Sequence, residues 1–236
     1  HDAKLCRLCG HELTYDRAFV GHLGHYHCEG CGMRRPAPDL SATRISLKGM
    51  SGVKATIVSP EGESELRLPL PGLYNLYNAL GALATARQMG VPVVEAVRSL
   101  SGMKAVFGRV ERIEIGETSL SILLIKNPAG ANEVIRTLAL EPAPIDLWVA
   151  LNDRIADGRD GAWIWDADFE MLAERVGKIT CTGTRAAEMA LRLKSAGWPL
   201  ERINLIEDPE AALDRALATS EGQLFAMPTY TALLDL

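Results

Sequence analysis

The stretch Ile145-Asp-Leu-Trp-Val-Ala-Leu-Asn-Asp-Arg-Ile-Ala-Asp-Gly-Arg-Asp160 decides the fold of the larger part of the chain. Its first seven residues are almost continuously apolar, which is typical of a strand buried on both faces of a parallel sheet. Dense charge follows directly, with three carboxylates and two arginines within eight residues. The stretch therefore predicts a buried strand that ends in a charged loop.

Helical patterns and short strands alternate on both sides of this segment. The predicted strands are 119–125, 145–151, 179–182, 202–206 and 223–226, and the predicted helices are 127–138, 169–176, 186–196, 209–218 and 229–236. Strands that alternate with helices favour a parallel sheet covered on both faces. We therefore predict an α/β fold, with a doubly wound, Rossmann-like domain over residues 105–236.

A smaller unit is predicted over residues 40–104. Its strand-like segments are 43–48, 53–58 and 64–68, and apolar residues at helical spacing predict helices over 73–88 and 92–100. Gly102-Met-Lys104 is predicted to be a hinge that leads into the larger domain.

Residues 1–39 contain four of the five cysteines of the chain. They form the pattern Cys6-x-x-Cys9, eighteen intervening residues and Cys28-x-x-Cys31, a spacing that indicates a zinc site. Each Cys-x-x-Cys pair bends into a tight turn with both sulfurs facing one ion, and a glycine follows each pair where the turn needs φ > 0. Because four thiolates fill a tetrahedral shell, we predict a zinc ribbon in which Zn²⁺ is structural.

Two alternatives to this assignment remain open from the residues alone. A histidine could replace a cysteine as ligand, and four histidines are nearby at positions 11, 22, 25 and 27. The second alternative is two disulfides or unpaired thiols, and disulfides are disfavoured because no N-terminal stretch resembles a signal peptide. Cys181 stands alone in an apolar stretch and is predicted to be a small core residue.

The charged loop is the first candidate site outside the ribbon. Ligands bind beyond the carboxyl ends of the strands in sheets of this type, and dense charge beside a buried strand is costly unless it is paired or used. Asp153, Asp157 and Asp160 are therefore candidate functional residues, and a solvated loop is the alternative. Asp168 is predicted to cap the helix over 169–176.

Two further segments carry candidate ligand-binding residues. Lys126-Asn127 follows a predicted strand and opens a helix, where free N–H groups and the lysine charge attract anions; an ordinary βα turn is the alternative. Asn75 and Asn78 are three residues apart and share one helix face. Their amides can read a purine edge, although capping and surface positions are the alternative for both.

Composition excludes several classes of function. The formal charge is −5 and the basic residues are scattered, which argues against a nucleic-acid-binding surface. The longest apolar runs, such as 120–125, are too short to cross a bilayer.

Taken together, these features resemble the Mur ligases, the ATP-dependent amide-forming enzymes of cell-wall synthesis. Gly72-Leu-Tyr-Asn-Leu-Tyr-Asn-Ala-Leu-Gly-Ala-Leu-Ala84 is similar to their helix-opening motif, and Phe107-Gly-Arg-Val-Glu111 to the segment at their hinge. A narrower resemblance is to the MurT family. It rests on the four-cysteine ribbon, Lys126–Glu133, the Leu151–Asp160 loop, Trp163-Ile-Trp-Asp166 and Tyr230-Thr-Ala-Leu-Leu234.

The MurT resemblance implies a peptidoglycan-synthesis enzyme, the ligase subunit of lipid II isoglutaminyl synthase. Such a subunit uses ATP and Mg²⁺ to activate the α-carboxylate of the stem-peptide D-glutamate of lipid II as an acyl phosphate. Ammonia from its heterodimer partner, a GatD-type glutaminase, then gives D-isoglutamine. The resemblance further implies a cytoplasmic protein, with peripheral association at the inner membrane face left open.

The same resemblance implies roles for particular residues. An aspartate of the charged loop is expected to complete the Cys-His triad of the glutaminase, because such a carboxylate orients the histidine. Asp160 and Asp157 are the first candidates and Asp166 the next. Asn75 and Asn78 are expected beside the adenine, Arg109 at the hinge near the nucleotide, and the charged loop over the phosphates.

One departure from the Mur pattern is large. The chain contains no Gly-x-x-Gly-Lys-Thr/Ser phosphate loop, so we expect that loop and the first strands of the central domain to lie upstream. This polypeptide alone is then expected not to hydrolyse ATP. Two other functions remain as alternatives: a different Mur-like ligase, such as a folylpolyglutamate synthase relative, or a module that only docks a glutaminase.

Overall fold

A computed structural model of the chain describes residues 3–19, 23–103 and 109–235, with only the backbone at 109 and 110. This part of the chain forms a two-stranded, a three-stranded and a six-stranded sheet, combined with helices in an α/β fold. Within the described ranges, every helix falls short of the length and apolar character that a membrane span requires.

The N-terminal sheet is a hairpin between the two cysteine turns. Strand β1 (Leu13–Ala18) pairs antiparallel with β2 (Gly24–Cys28). Gly10 and Gly32 follow the second cysteine of each turn with φ of 76° and 73°. Their N–H groups donate to the carbonyls of Cys6 and Cys28, both at 2.9 Å. Glycine is needed at these positions because residues with a Cβ rarely adopt such a φ.

The second sheet packs against two helices. Strands β3 (Ser41–Leu47), β4 (Val53–Ser59) and β5 (Gly62–Leu68) are antiparallel, and α1 (Leu73–Gln88) and α2 (Val93–Ser101) follow them. Their shared core includes Ile57, Leu66 and Leu83. The five predicted elements of this unit are present, with bounds that differ by one or two residues. Of the predicted hinge, residue 104 lies outside the described residues.

The third sheet has the strand order β10-β9-β8-β11-β7-β6. Its strands are β6 (Arg109–Ile115), β7 (Thr118–Leu123), β8 (Ile145–Ala150), β9 (Val176–Thr182), β10 (Ile203–Leu205) and β11 (Gln223–Pro228). Five strands are parallel, and β6 runs antiparallel to β7 at the edge. The five predicted strands of this sheet are present and parallel. Strand β6 was not predicted, and it is antiparallel because residues 116 and 117 turn the chain back on itself.

Helices cover both faces of this sheet. The helices are α3 (Pro128–Leu138), α4 (Ala186–Ser195), α5 (Pro209–Thr219) and α6 (Tyr230–Leu234). In β8, Leu147 and Val149 face the core that contains α3 and α4, whereas Trp148 and Ala150 face the core that contains α5 and α6. Burial on both faces explains the continuous apolar run of this strand.

The helix predicted over 169–176 is wrong. The structure has a 3₁₀ helix over Ala162–Asp166, another over Phe169–Leu172, and β9 already begins at Val176. The Phe169 carbonyl, which an α-helix would use internally, accepts a hydrogen bond of 3.1 Å from the Trp198 indole N–H. Asp168 precedes the second 3₁₀ helix, but its carboxylate makes no capping hydrogen bond. Long-range contacts therefore override the local helical pattern here.

Candidate functional site

The four ribbon cysteines converge on one point. Their sulfurs all lie within 4.8 Å of one another, with Cys6 Sγ 3.6 Å from Cys31 Sγ and Cys9 Sγ 3.4 Å from Cys28 Sγ. A tetrahedral zinc ion with Zn–S bonds of about 2.3 Å would place its sulfurs about 3.8 Å apart. The cluster could therefore hold a metal ion, and among the described residues it is the one group of cysteines, histidines and carboxylates with such geometry.

The local electrostatics of the cluster also favour a bound cation. Burial raises the pKa of Cys6. Hydrogen bonds from the N–H groups of Leu8 and Cys9 and from the adjacent thiols outweigh this effect and lower the pKa to about 6. The N–H group of His11 lowers the pKa of Cys9, but Cys28 and burial raise it, to about 12. Thiols this close cannot all ionise without a cation between them.

Among the described residues, the group that could hold a metal ion consists of the four cysteines and includes no histidine. His27 lies 2.8 Å from Glu29 and 3.5 Å from Asp16, so both ring nitrogens have carboxylate neighbours. Residue 22 lies outside the described residues.

The charged loop begins at Asn152, which lies two residues after the end of β8 and is only 4% exposed. Its main-chain N–H donates to Thr229 Oγ1 at 3.0 Å, and its side-chain amide donates to Thr231 Oγ1 at 3.1 Å. Its side-chain oxygen accepts a hydrogen bond of 3.0 Å from the Thr184 N–H. One buried side chain thus connects the carboxyl ends of β8, β9 and β11, where sheets of this type bind ligands.

Asp157 is bound within the protein. Its Oδ1 accepts a hydrogen bond of 2.7 Å from the Thr231 N–H, and its Oδ2 accepts one of 2.5 Å from the Thr231 hydroxyl. Because both oxygens have partners, Asp157 holds the loop against the start of α6.

Other charges of the loop are also paired. Asp153 accepts a hydrogen bond of 2.9 Å from the Thr184 hydroxyl and lies 3.5 Å from Arg185. Arg154 contacts both carboxylate oxygens of Asp235, at 2.9 and 3.0 Å. The expectation that dense charge after a buried strand needs partners is confirmed for these residues.

Asp160 and Asp166 are the two candidates that face solvent. Asp160 is exposed, and its Oδ1 accepts a hydrogen bond of 2.9 Å from the Ala162 N–H, which leaves Oδ2 without a partner among the described residues. Asp166 is exposed, and its carboxylate has no hydrogen-bond or ion-pair partner within the described ranges. These two carboxylates could therefore interact with another molecule.

The segment between them is fixed by a buried arginine. Arg192 is 4% exposed and donates to the carbonyls of Ile164 and Ala167 at 3.0 and 2.7 Å. Its guanidinium also lies 5.7 Å from the ring centre of Trp165, which is 49% exposed. Asp160 thus precedes, and Asp166 ends, a surface segment that Arg192 binds to the core.

The loop at 126–127 differs from the expected anion site in one respect. Asn127 is the N-cap of α3, and its side-chain oxygen accepts a hydrogen bond of 2.8 Å from the Gly130 N–H. One of the free helix N–H groups is thereby satisfied within the protein. Lys126 is exposed, without a polar partner in the described part of the chain.

Asn75 and Asn78 share one face of α1, as predicted. The Asn75 side-chain amide donates to the Pro71 carbonyl at 2.8 Å, and that of Asn78 donates to the Asn75 side-chain oxygen at 3.4 Å. Asn78 is exposed and Asn75 is half-buried. The side chain of residue 109, the third candidate near the nucleotide, lies outside the described residues.

Sequence reasoning missed Thr231, Thr184 and Asp235. Each contacts the charged loop but lies 31 to 83 residues away from its partners along the chain. Their positions carry a usable signal, because Thr184 follows β9 and Thr231 follows β11, and the carboxyl ends of parallel strands converge at one edge.

Comparison with solved structures identifies the fold. The structure is similar to a pseudomurein peptide ligase type C from Methanothermus fervidus, with a TM-score of 0.68 and 23% identity over 98% of this chain and 47% of that one. It is also similar to MurF from Acinetobacter baumannii, with a TM-score of 0.66 and 22% identity over 84% of this chain and 45% of that one. The fold is therefore an α/β Mur-ligase-like fold.

Within that fold, the resemblance to MurT is confirmed. Residues 124–233 match the family model of the MurT ligase C-terminal domain. The chain is 38% identical over 98% of its length to the MurT subunit of lipid II isoglutaminyl synthase (glutamine-hydrolyzing) from Streptococcus pneumoniae, and 31% identical over 99% to that from Staphylococcus aureus. It spans about half the length of these curated relatives, 51% and 52%.

Proposed function

We propose that this chain is the C-terminal part of an ATP-dependent amidotransferase subunit that converts the stem-peptide D-glutamate of lipid II to D-isoglutamine during peptidoglycan synthesis. The observation that carries the proposal is the combination, in one chain, of a four-cysteine cluster and a MurT ligase C-terminal domain on a Mur-ligase-like fold. The ammonia is proposed to come from a GatD-type glutaminase partner.

The proposed domain organisation follows the same assignment. Residues 1–39 are a zinc ribbon insertion, 40–104 the remainder of the ATP-binding domain, and 105–236 a doubly wound C-terminal domain. The sulfur geometry and the all-thiolate donor set support Zn²⁺ as the metal of the ribbon. Because four thiolates complete its shell, the role of the ion is structural.

The proposed chemistry needs ATP and Mg²⁺. A carboxylate oxygen of the substrate attacks the terminal phosphorus of ATP, and ADP leaves. Ammonia then attacks the acyl carbon and phosphate departs, which is favourable because phosphate is a far better leaving group than hydroxide. Asn75, Asn78 and Arg109 are proposed near the nucleotide, together with Lys126 and the start of α3, whose capping residue is Asn127.

Asp160 is our first candidate for the aspartate that completes the glutaminase triad. Such a residue must present a free carboxylate oxygen to a histidine of another chain. The free Oδ2 of Asp160 and its exposure support this role, whereas both oxygens of Asp157 are already bound. Asp166 is the second candidate, because its carboxylate is exposed as well.

Exposed apolar side chains beside this loop support a protein partner. Ile155 is 82% exposed and Leu234 is 58% exposed, and Trp165 and Tyr230 are about half-exposed. Aromatic residues are enriched at the centres of protein interfaces. A glutaminase that docks here would bring its active-site histidine near Asp160.

The test uses the full-length protein together with its glutaminase partner. Asp160→Asn is expected to abolish lipid II amidation with glutamine but to preserve amidation with added ammonium, which bypasses the glutaminase. Asp214→Asn, which neutralises an exposed carboxylate on α5, is the matched control and should behave as the wild type. Unchanged glutamine-dependent activity would remove Asp160 from this role, and the same experiment on Asp166→Asn would then follow.

A further inference from the structure

The contact between Asp157 and Thr231 replaces a local helix cap by a long-range one. Thr229 is the N-cap residue of α6, yet its side chain makes no capping hydrogen bond. Its hydroxyl oxygen accepts the Asn152 N–H instead. The carboxylate of Asp157, 74 residues away in the sequence, accepts the Thr231 N–H and hydroxyl. The loop therefore binds the helix through the Asp157 carboxylate, and the N-cap residue of the helix binds the loop through the Asn152 N–H.

Asn152 supports this contact from the buried side. Its side-chain amide donates to the same Thr231 hydroxyl, at 3.1 Å, and also lies 3.3 Å from Asp235 Oδ2. Thr231 Oγ1 thus accepts from Asn152 and donates to Asp157, so all three groups are oriented by one another. The Asn152–Thr231 hydrogen bond is buried and the Thr231–Asp157 hydrogen bonds are half-buried. Such a chain favours a single arrangement, because a lost member leaves its neighbours unpaired.

This arrangement determines where Asp160 can lie. Only Gly158 and Arg159 separate Asp157 from Asp160, so Asp160 stays within about 11 Å of the bound residue. Both separating residues are exposed, and the Gly158 N–H donates within the loop itself, to the Ile155 carbonyl at 3.3 Å. On the other side, Asp160 is bound to the Ala162 N–H, at the start of the segment that Arg192 holds.

We infer that Asn152, Asp157 and Thr231 form a positioning clamp that sets the Asp160 carboxylate for the active site of the glutaminase partner. This inference rests on the proposed function. None of the three residues needs to touch the substrate of either reaction, so each is a positioning residue that acts through Asp160. The clamp connects the edge of the sheet formed by the carboxyl ends of its strands to the exposed Asp160 carboxylate, which the partner would use.

The test compares two substitutions of Thr231 in the full-length protein with its glutaminase partner. Thr231→Val keeps the shape but removes the hydroxyl, whereas Thr231→Ser keeps the hydroxyl. Because small misplacements of a catalytic group cost large factors in rate, Thr231→Val should lower the kcat of glutamine hydrolysis about tenfold or more, with the KM for glutamine unchanged. Thr231→Ser should retain the wild-type kcat.

Ammonium separates positioning from general damage. With ammonium as nitrogen source, lipid II amidation by Thr231→Val should stay close to the wild-type rate. Equal losses with glutamine and with ammonium would overturn the clamp and leave a purely structural role, and so would a Thr231→Val variant with undiminished glutamine hydrolysis.

Two controls keep the outcomes distinct. If Thr231→Val fails to fold, Asp157→Asn makes the same comparison, because it preserves the shape of the side chain and weakens only its acceptance of the Thr231 donors. A wild-type complex that amidates lipid II from neither nitrogen source would refute the proposed function itself. Wild-type activity with insensitive clamp variants would refute the clamp alone.

Discussion

Arg192→Met should destabilise the C-terminal part of the chain more than any exposed charge substitution. The guanidinium of Arg192 is the hydrogen-bond donor to the carbonyls of Ile164 and Ala167. Each buried acceptor that is left without a partner costs about 1–3 kcal/mol. The ion pair with Glu170, whose side chain is 57% exposed, adds at most about 1 kcal/mol. Methionine retains the apolar stem, so these contributions together give an expected loss of about 2–7 kcal/mol of unfolding free energy.

Urea denaturation monitored by tryptophan fluorescence measures this loss. All four tryptophans lie between residues 148 and 198, so the signal reports the part of the chain that contains Arg192. Arg159→Met is the matched control, because that side chain is exposed and its replacement should change the unfolding free energy by less than about 0.5 kcal/mol. A loss below about 1 kcal/mol for Arg192→Met would refute the view that this residue fixes the 3₁₀ segment.

Three further predictions concern the rest of the chain. Purified protein should contain one zinc ion per chain, and Cys9→Ser should lose it; the same metal content in both by mass spectrometry would contradict the ribbon assignment. Leu83→Ala should cost about 2–5 kcal/mol in urea denaturation followed by circular dichroism, because Leu83 lies on α1 and is fully buried in the core of the second sheet; an unaffected transition would contradict this packing. The Val93 N–H and Arg87 lower the pKa of Glu61 from its ordinary value of 4.5. The stability that this carboxylate contributes is therefore present above pH 4.5 and is lost as the pH falls through the lowered pKa. Glu61→Gln should accordingly be less stable than the wild type at pH 7, and the difference in denaturation midpoint should shrink in acid; a difference that stays constant with pH would be the contrary result.

Local sequence signals predicted much of the fold and one site. The cysteine spacing led to four sulfurs that do converge within 4.8 Å. The apolar run from Ile145 led to a strand that is buried on both faces. In both cases the information lies within a short segment, or in a repeated turn whose geometry is fixed by a glycine, so no long-range contact is needed to interpret it.

Long-range contacts account for what the sequence did not reveal. The helical pattern over 169–176 is overridden because Trp198 binds the Phe169 carbonyl and Arg192 binds carbonyls just before it. Asp157 could be recognised as a charged residue after a strand, but its partner Thr231 lies 74 residues further on. Sequence proximity alone therefore ranked Asp157 beside Asp160. Of these two residues, Asp157 has both carboxylate oxygens bound, whereas Asp160 has one oxygen without a partner among the described residues.

The most direct test of the proposed function is an isotope-transfer experiment with the full-length protein and its glutaminase partner. Lipid II, ATP and glutamine labelled with ¹⁵N in its side-chain amide are incubated with the complex, and the stem peptide is analysed by tandem mass spectrometry. The proposed function predicts labelled nitrogen at the α-carboxyl position of the D-glutamate residue, with one ADP formed per amide. Unlabelled lipid II, together with glutamate addition to a folate acceptor by the same protein, would contradict the proposal and favour a folylpolyglutamate synthase relative.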